Sequence, residues 1–167
     1  MLDVARQICI LLWTYWPTSD VTVDTGDAAK GNRFNASIIL PSKTNINWEY
    51  RKPTSDIVDK PTISFLRFDN IPVNERPLMK SVNPDFTVSD PIEIWVTVPI
   101  STGKSDAYII DLRTAITEQI REILQSHATD CQGVNFASVG RWWHSGFTDN
   151  KSQSLRSRCR IETEYEY

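Results

Sequence analysis

The chain has 167 residues, room for one domain with a sizeable core and too few for two comfortable ones. With 40% apolar and 10% aromatic residues it is excluded from the wholly disordered class. Its 18 Lys and Arg against 21 Asp and Glu leave a net charge of -3, so no overall positive field holds nucleic acid and any such contact must be local.

From Leu2 to Trp16 the apolar residues Val4, Ala5, Ile8, Cys9, Leu12, Tyr15 and Trp16 recur at helical spacing with Asp3, Arg6 and Gln7 opposite, and Pro17 ends the helix. Between Pro17 and Pro61 short extended pieces (Val21-Thr22-Val23, Phe34 to Leu40, Ile46-Asn47-Trp48) alternate with the turn formers Thr25-Gly26-Asp27, Gly31-Asn32 and Pro41-Ser42. Thr62 to Phe68 reads as a further strand. Pro72, Pro77 and Pro84 then make the stretch from 69 to 89 a poor candidate for regular structure, and we expect a long loop or arm there.

The second half is more regular. Ile92, Ile94, Val96 and Val98 alternate with Glu93, Trp95 and Thr97 in the period of a two-faced strand. After a turn through Ser101, Gly103 and Lys104, the spacing predicts a helix over 106–126, with Ile109, Leu112, Ile116, Ile120 and Ile123 as its apolar stripe and Arg113, Thr117, Glu118, Arg121 and Glu122 facing water. A short strand is expected near Asn135 to Val139, followed by a loop. Leu155 to Tyr167 alternates throughout: Leu155, Ser157, Cys159, Ile161, Thr163, Tyr165 and Tyr167 on one side, Arg156, Arg158, Arg160, Glu162, Glu164 and Glu166 on the other. The expected architecture is one α+β domain over 1–167, a two-layer sandwich of a mostly antiparallel sheet with the N-terminal helix and the long amphipathic helix packed on it.

Little in the chain points to catalysis. Cys9, Cys131 and Cys159 cannot all pair and none sits in a close CxxC, so neither a disulfide scaffold nor a zinc site is indicated, and a reducing compartment is the simpler expectation. His127 and Cys131, four apart with Asp130 between them, fall short of a metal ligand set, and His127 and His144 are the sole histidines to serve as a base. GxGxxG, GxxxxGK[ST] and HExxH are absent, and Asp56 and Asp59 are loop carboxylates with no acid and base roles to argue. We therefore expect no enzyme, no cofactor and no metal. No apolar run reaches the roughly 18 residues of a membrane span, and the apolar start from Ile8 to Trp13 has no cationic leader or cleavage site, so a soluble chain with no membrane contact is expected.

Two features suggest contact with partners. In Arg141-Trp142-Trp143-His144 the adjacent tryptophans of an extended segment point opposite ways, so Trp142, Trp143 and Arg141 are candidate interface residues; the plain alternative is one indole in the core and one flat on the surface. Arg156, Arg158 and Arg160 form a charged row about 6–7 Å apart along one strand face. That row either lines a passage for nucleic acid, meets a neighbouring subunit, or pairs across strands with Glu93.

The order of parts, an N-terminal helix, a middle set of strands, a strand of the type Pro91-Ile92-Glu93-Ile94-Trp95-Val96, a helix of the type Leu112-Arg113-Thr114-Ala115-Ile116 continuing to Ile123-Leu124, and a closing alternating strand, resembles the tail terminator and tail completion proteins of tailed viruses. The resemblance is strongest over residues 90–167. It implies a small structural α+β protein of the virion, assembled in the host cytoplasm into a homo-oligomeric ring, a hexamer in this family. Such a ring caps the tail tube at the neck and lets the genome pass through its lumen. The partners implied are further copies of the chain, the tail tube protein, a neck or head-completion protein and, transiently, genomic DNA. Two other classes remain open: another virion assembly component (head closure, tail tube or baseplate), told apart by stoichiometry and position in the particle, and a small nucleic-acid-binding α+β domain, told apart by salt-dependent DNA affinity.

Overall fold

A computed structural model describes residues 3–26, 35–50, 59–67, 74–77, 86–89, 92–100, 104–130, 136–144 and 154–166. Helix α1 (Val4–Tyr15) starts on Asp3, whose carboxylate accepts the Arg6 N–H at 3.1 Å, and stops where Trp16 turns extended, the conformation imposed on a residue that precedes proline. It buries Val4, Ala5, Ile8, Leu11 and Leu12. Leu11 therefore joins the expected stripe, while Tyr15 stands 39% exposed at its margin.

Strands β1 (Val21–Asp24) and β2 (Ser37–Leu40) make a small antiparallel pair. The larger sheet contains β3 (Asn47–Glu49), β4 (Thr62–Arg67), β5 (Asn74–Pro77), β6 (Phe86–Ser89), β7 (Ile92–Pro99), β8 (Phe136–His144) and β9 (Ser154–Glu166). Its order is β3-β4-β7-β9-β6-β5, with β8 on the other side of β9. Only β3 and β4 run parallel among the described pairs. The architecture is α+β, with helices layered against a mostly antiparallel sheet.

Alternation decides which face of that sheet is dry. Ile63 and Phe65 of β4, Ile92, Ile94, Val96 and Val98 of β7, and Leu155, Cys159 and Ile161 of β9 are all at most 1% exposed and pack with α1 and α2 (Asp106–His127) in one cluster. An aromatic group ties the end of α1 to this layer: Trp16 meets Trp48 edge to face at 5.4 Å, Trp48 stacks on Phe65 at 6.4 Å, and the Trp16 and Trp48 N–H groups donate to the Pro41 and Lys43 carbonyls.

Three expectations need correction. Arg113 and Thr117 do not face water; they are 8% and 3% exposed. Arg113 stands four residues after Ile109 and three before Ile116, so helical geometry puts it in the middle of the stripe whatever its charge, and burial lowers its pKa. The stretch from 69 to 89 is not wholly irregular, because β5 and β6 pair antiparallel within it and its remaining residues lie outside those described. Pro77 is tolerated since it ends β5, the last strand in the sheet order, where no further ladder bond is required of it. Finally, β8 does not stop near Val139 but runs on to His144.

A β-bulge explains how β8 continues. Val139 lies opposite Ile161 and Trp142 opposite Cys159, so Gly140 and Arg141 together face Arg160. The extra residue switches the alternation, turning Trp142 toward the core and Trp143 to the other face beside Arg158. Glycine is required there: a Cβ on Gly140 would stand 2.7 Å from the Arg160 carbonyl oxygen.

Candidate functional site

The sheet face turned away from the helices carries most of the residues singled out in the sequence. Cross-strand register sets Arg160 opposite Glu93, Arg158 opposite both Trp95 and Trp143, and Arg156 opposite Thr97. The Arg158 guanidinium lies between two indoles, 5.9 Å from the Trp95 ring centre and 5.5 Å from that of Trp143, and the Arg156 guanidinium lies over Trp95 at 5.9 Å. A continuous row results, Trp143, Arg158, Trp95, Arg156, in which each cation rests on the electron-rich face of a ring. A hollow of about 300 Å³ is lined by these four residues with His144 and Ser157.

The expected candidates separate along this face. Trp142 belongs to the core side, partly buried and stacked on His144 at 6.5 Å, so the two tryptophans do not act as a pair. Trp143 is 48% exposed, and Arg141 is exposed at the bulge. Of the arginine row, Arg158 is exposed while Arg156 and Arg160 are partly covered, so the face is less openly charged than strict alternation implies. Glu93, only 7% exposed, lies directly across from Arg160 in the cross-strand register. Arg156, Arg158 and Arg160 thus sit side by side on this face, with Arg141 beside them at the bulge.

Trp95 is the residue that sequence reasoning passed over. Its alternation with Ile94 and Val96 already put it on the outer face, but its place beside Arg158 depends on register between strands far apart in sequence. The floor of the face is polar: Ser64 and Thr97 are 0% exposed, and among the described residues the buried Ser64 Oγ, Thr97 Oγ1 and Trp95 Nε1 atoms have no hydrogen-bond partner. Packing alone does not favour such groups.

Other reactive side chains are held quiet. His144 Nδ1 and Ser157 Oγ are 2.7 Å apart, the separation of a nucleophile and its base, but Ser157 is 1% exposed and the contact fixes β8 to β9. Burial, and then the Arg113 charge, lower the His144 pKa. Burial pushes the Cys9 thiol up to about 11 and that of Cys159 to about 12, which keeps both protonated near neutrality. His127 stacks on Tyr15 with ring centres 3.6 Å apart, and Asp130 Oδ2 takes hydrogen bonds from the Tyr15 hydroxyl at 2.7 Å and, at 3.0 Å, from His127. That trio joins the ends of α1 and α2; Cys131 lies outside the described residues, among which no three potential metal ligands gather.

Compared with known proteins, the chain matches no protein-family model and no curated sequence.

Proposed function

We propose that the chain is a structural ring subunit of a tailed virus, a tail terminator or tail completion protein that caps the tail tube at the neck while the genome passes through the lumen. What supports this reading is the layering: α1 and α2 share one face of a sheet whose long alternating strand, β9, lies beside β7, the same succession of parts that carries the resemblance to that family. A closed ring needs two different surfaces on each subunit that fit one another. The described residues offer apolar anchors in two separate places, Trp143 on β8 at 48% exposure and the pair Ile10 and Trp13, 49% and 50% exposed one turn apart on α1. In this reading the partners are further copies in a hexamer, the tail tube protein and a neck or head-completion protein, with DNA in transient contact. The role is non-enzymatic, in the virion, after assembly in the host cytoplasm.

Native mass spectrometry and electron microscopy of the purified chain, alone and with tail tube ends, test the proposal. Sixfold rings seated on tube ends are the expected result. A strictly monomeric chain under both conditions refutes it.

A further inference from the structure

The helix layer holds a groove of about 350 Å³ between α2 and the β1 and β2 pair. Asp111, Ala115, Glu118 and Glu122 follow one another at intervals of four, three and four residues, so α2 turns all of them to this side. Val23 and Asp24 of β1 and Ile38 of β2 form the facing wall. Ile38 is 2% exposed, and Val23 and Ala115 pack against the core, which makes the floor apolar and leaves the four carboxylates around the rim. No Lys or Arg is among the described residues that line it, although Arg121 pairs with Glu118 from outside. Such a groove repels polyanions and suits a cationic partner that brings an apolar side chain for the floor.

We infer that this groove receives the β8 margin of a second copy, with Trp143 entering over Val23, Ile38 and Ala115 while Arg141 and Arg158 meet the carboxylates of the rim. Among the described strands β8 pairs with β9 alone, so Arg141 and Trp143 stand at the margin of the sheet. They are two residues apart in an extended strand and share a face, and Arg158 lies directly across from Trp143. A half-exposed indole between two exposed cations thus matches an apolar floor between carboxylates. Ile10 and Trp13 of α1 do not answer the arginines, because Lys43 Nζ lies 4.1 Å from the Trp13 ring centre; that pair stays open to the tail tube or neck protein. Charge also fixes the symmetry of the contact. Two grooves repel one another and so do two arginine margins, which leaves head-to-tail association, one copy's margin in the next copy's groove. The inference names the mating surfaces of the ring reading and rests on that reading for closure into a ring.

The test is a charge swap on the full chain, read by analytical ultracentrifugation and native mass spectrometry, with folding of every variant checked by circular dichroism and melting. R141E/R158E reverses the margin and keeps the groove, and E118K/E122K reverses the groove and keeps the margin. Each alone is expected to weaken self-association about 30-fold or more. Mixed in equal amounts, the two recover assembly in alternation, because each margin again meets a groove of opposite charge. R141E alone, at the exposed bulge, shows the same loss on a smaller scale if the double variant melts early. R6E, a like reversal at an exposed position of α1, leaves self-association unchanged. Parent assembly weakens between about 0.1 and 1 M salt, as the screening length falls from about 10 to 3 Å. The inference is overturned if either folded double variant assembles as the parent does, if the mixture does no better than its parts, if R6E costs as much, or if salt has no effect. Parent rings with unaffected variants would keep the ring reading and remove this contact. Open chains with the expected swap would keep the contact and remove the ring, and a parent monomeric at every concentration would remove both.

Discussion

Replacing Gly140 with alanine probes the bulge that sets the outer face. The added methyl group would stand 2.7 Å from the Arg160 carbonyl oxygen and 3.7 Å from its carbon, and the first distance is below anything ordinary Cβ contacts show. The obstructing atom is backbone, in a strand paired with β7 on one side and β8 on the other, so it cannot swing aside as a side-chain tip would. Relief must come from β8 moving outward by several tenths of an ångström and stretching its ladder to β9. Overpacking of this kind costs about 1–3 kcal/mol. Lower backbone entropy in the unfolded chain returns about 0.4–1 kcal/mol for a glycine-to-alanine change. The net expectation is a loss of about 1–2 kcal/mol, seen as a melting temperature lower by about 2–8 °C for a chain of this size. Urea unfolding with an unchanged slope would show that the surface exposed on unfolding is the same and that the lost stability is native-state strain net of the entropy term. A G140A chain as stable as the parent or more so would refute the close approach, and with it the account of why Trp142 points in and Trp143 out.

Trp142→Ala and Trp143→Ala should separate cleanly. The first, at a partly buried ring packed on the core, costs roughly 2–4 kcal/mol of stability, while the second leaves the melting temperature nearly unchanged and lowers assembly; equal destabilisation by both would show that Trp143 is a packing residue. Asp3→Ala removes the cap of α1 and the acceptor of the Tyr50 hydroxyl, and denaturant titration should show a loss of about 1 kcal/mol. The lowered His144 pKa means that the unfolded chain binds more protons than the folded one between that lowered value and the ordinary histidine value of about 6.5. Its contribution to stability is therefore complete above the ordinary value and declines as pH falls through the window, and H144N should flatten the decline; equal slopes for parent and variant would remove His144 from the account.

Period was the reliable signal in this sequence, and residue type the misleading one. α1, α2, β7 and β9 are legible because their apolar residues keep one spacing over many residues. The charge of Arg113 points to water, whereas its position between Ile109 and Ile116 gives its true face. Pro77 concealed β5 for the same reason, since a proline excludes a central strand but not the end of an outermost one. The bulge had a visible sign, a lone Gly140 within an extended stretch, but its effect on the two tryptophans follows only from pairing with Arg160. Likewise the arginine row is plain from alternation, whereas the Trp95 and Trp143 rings that flank Arg158 come from β7 and β8, which no local pattern brings together.

The position of β9 also governs when the sheet can close. β9 follows in the chain every strand it touches, yet it lies between them, with β7 and β6 along one edge and β8 along the other. On the ribosome, at about 5–20 residues per second, β7 must wait several seconds with one edge unpaired while α2, β8 and most of β9 are made. Throughout that delay Ile92, Ile94, Val96 and Val98 lack the strand that completes their layer. A nascent chain of this design invites holding by a chaperone, and its final closure is a long-range event, slow on the scale of domains rich in local contacts.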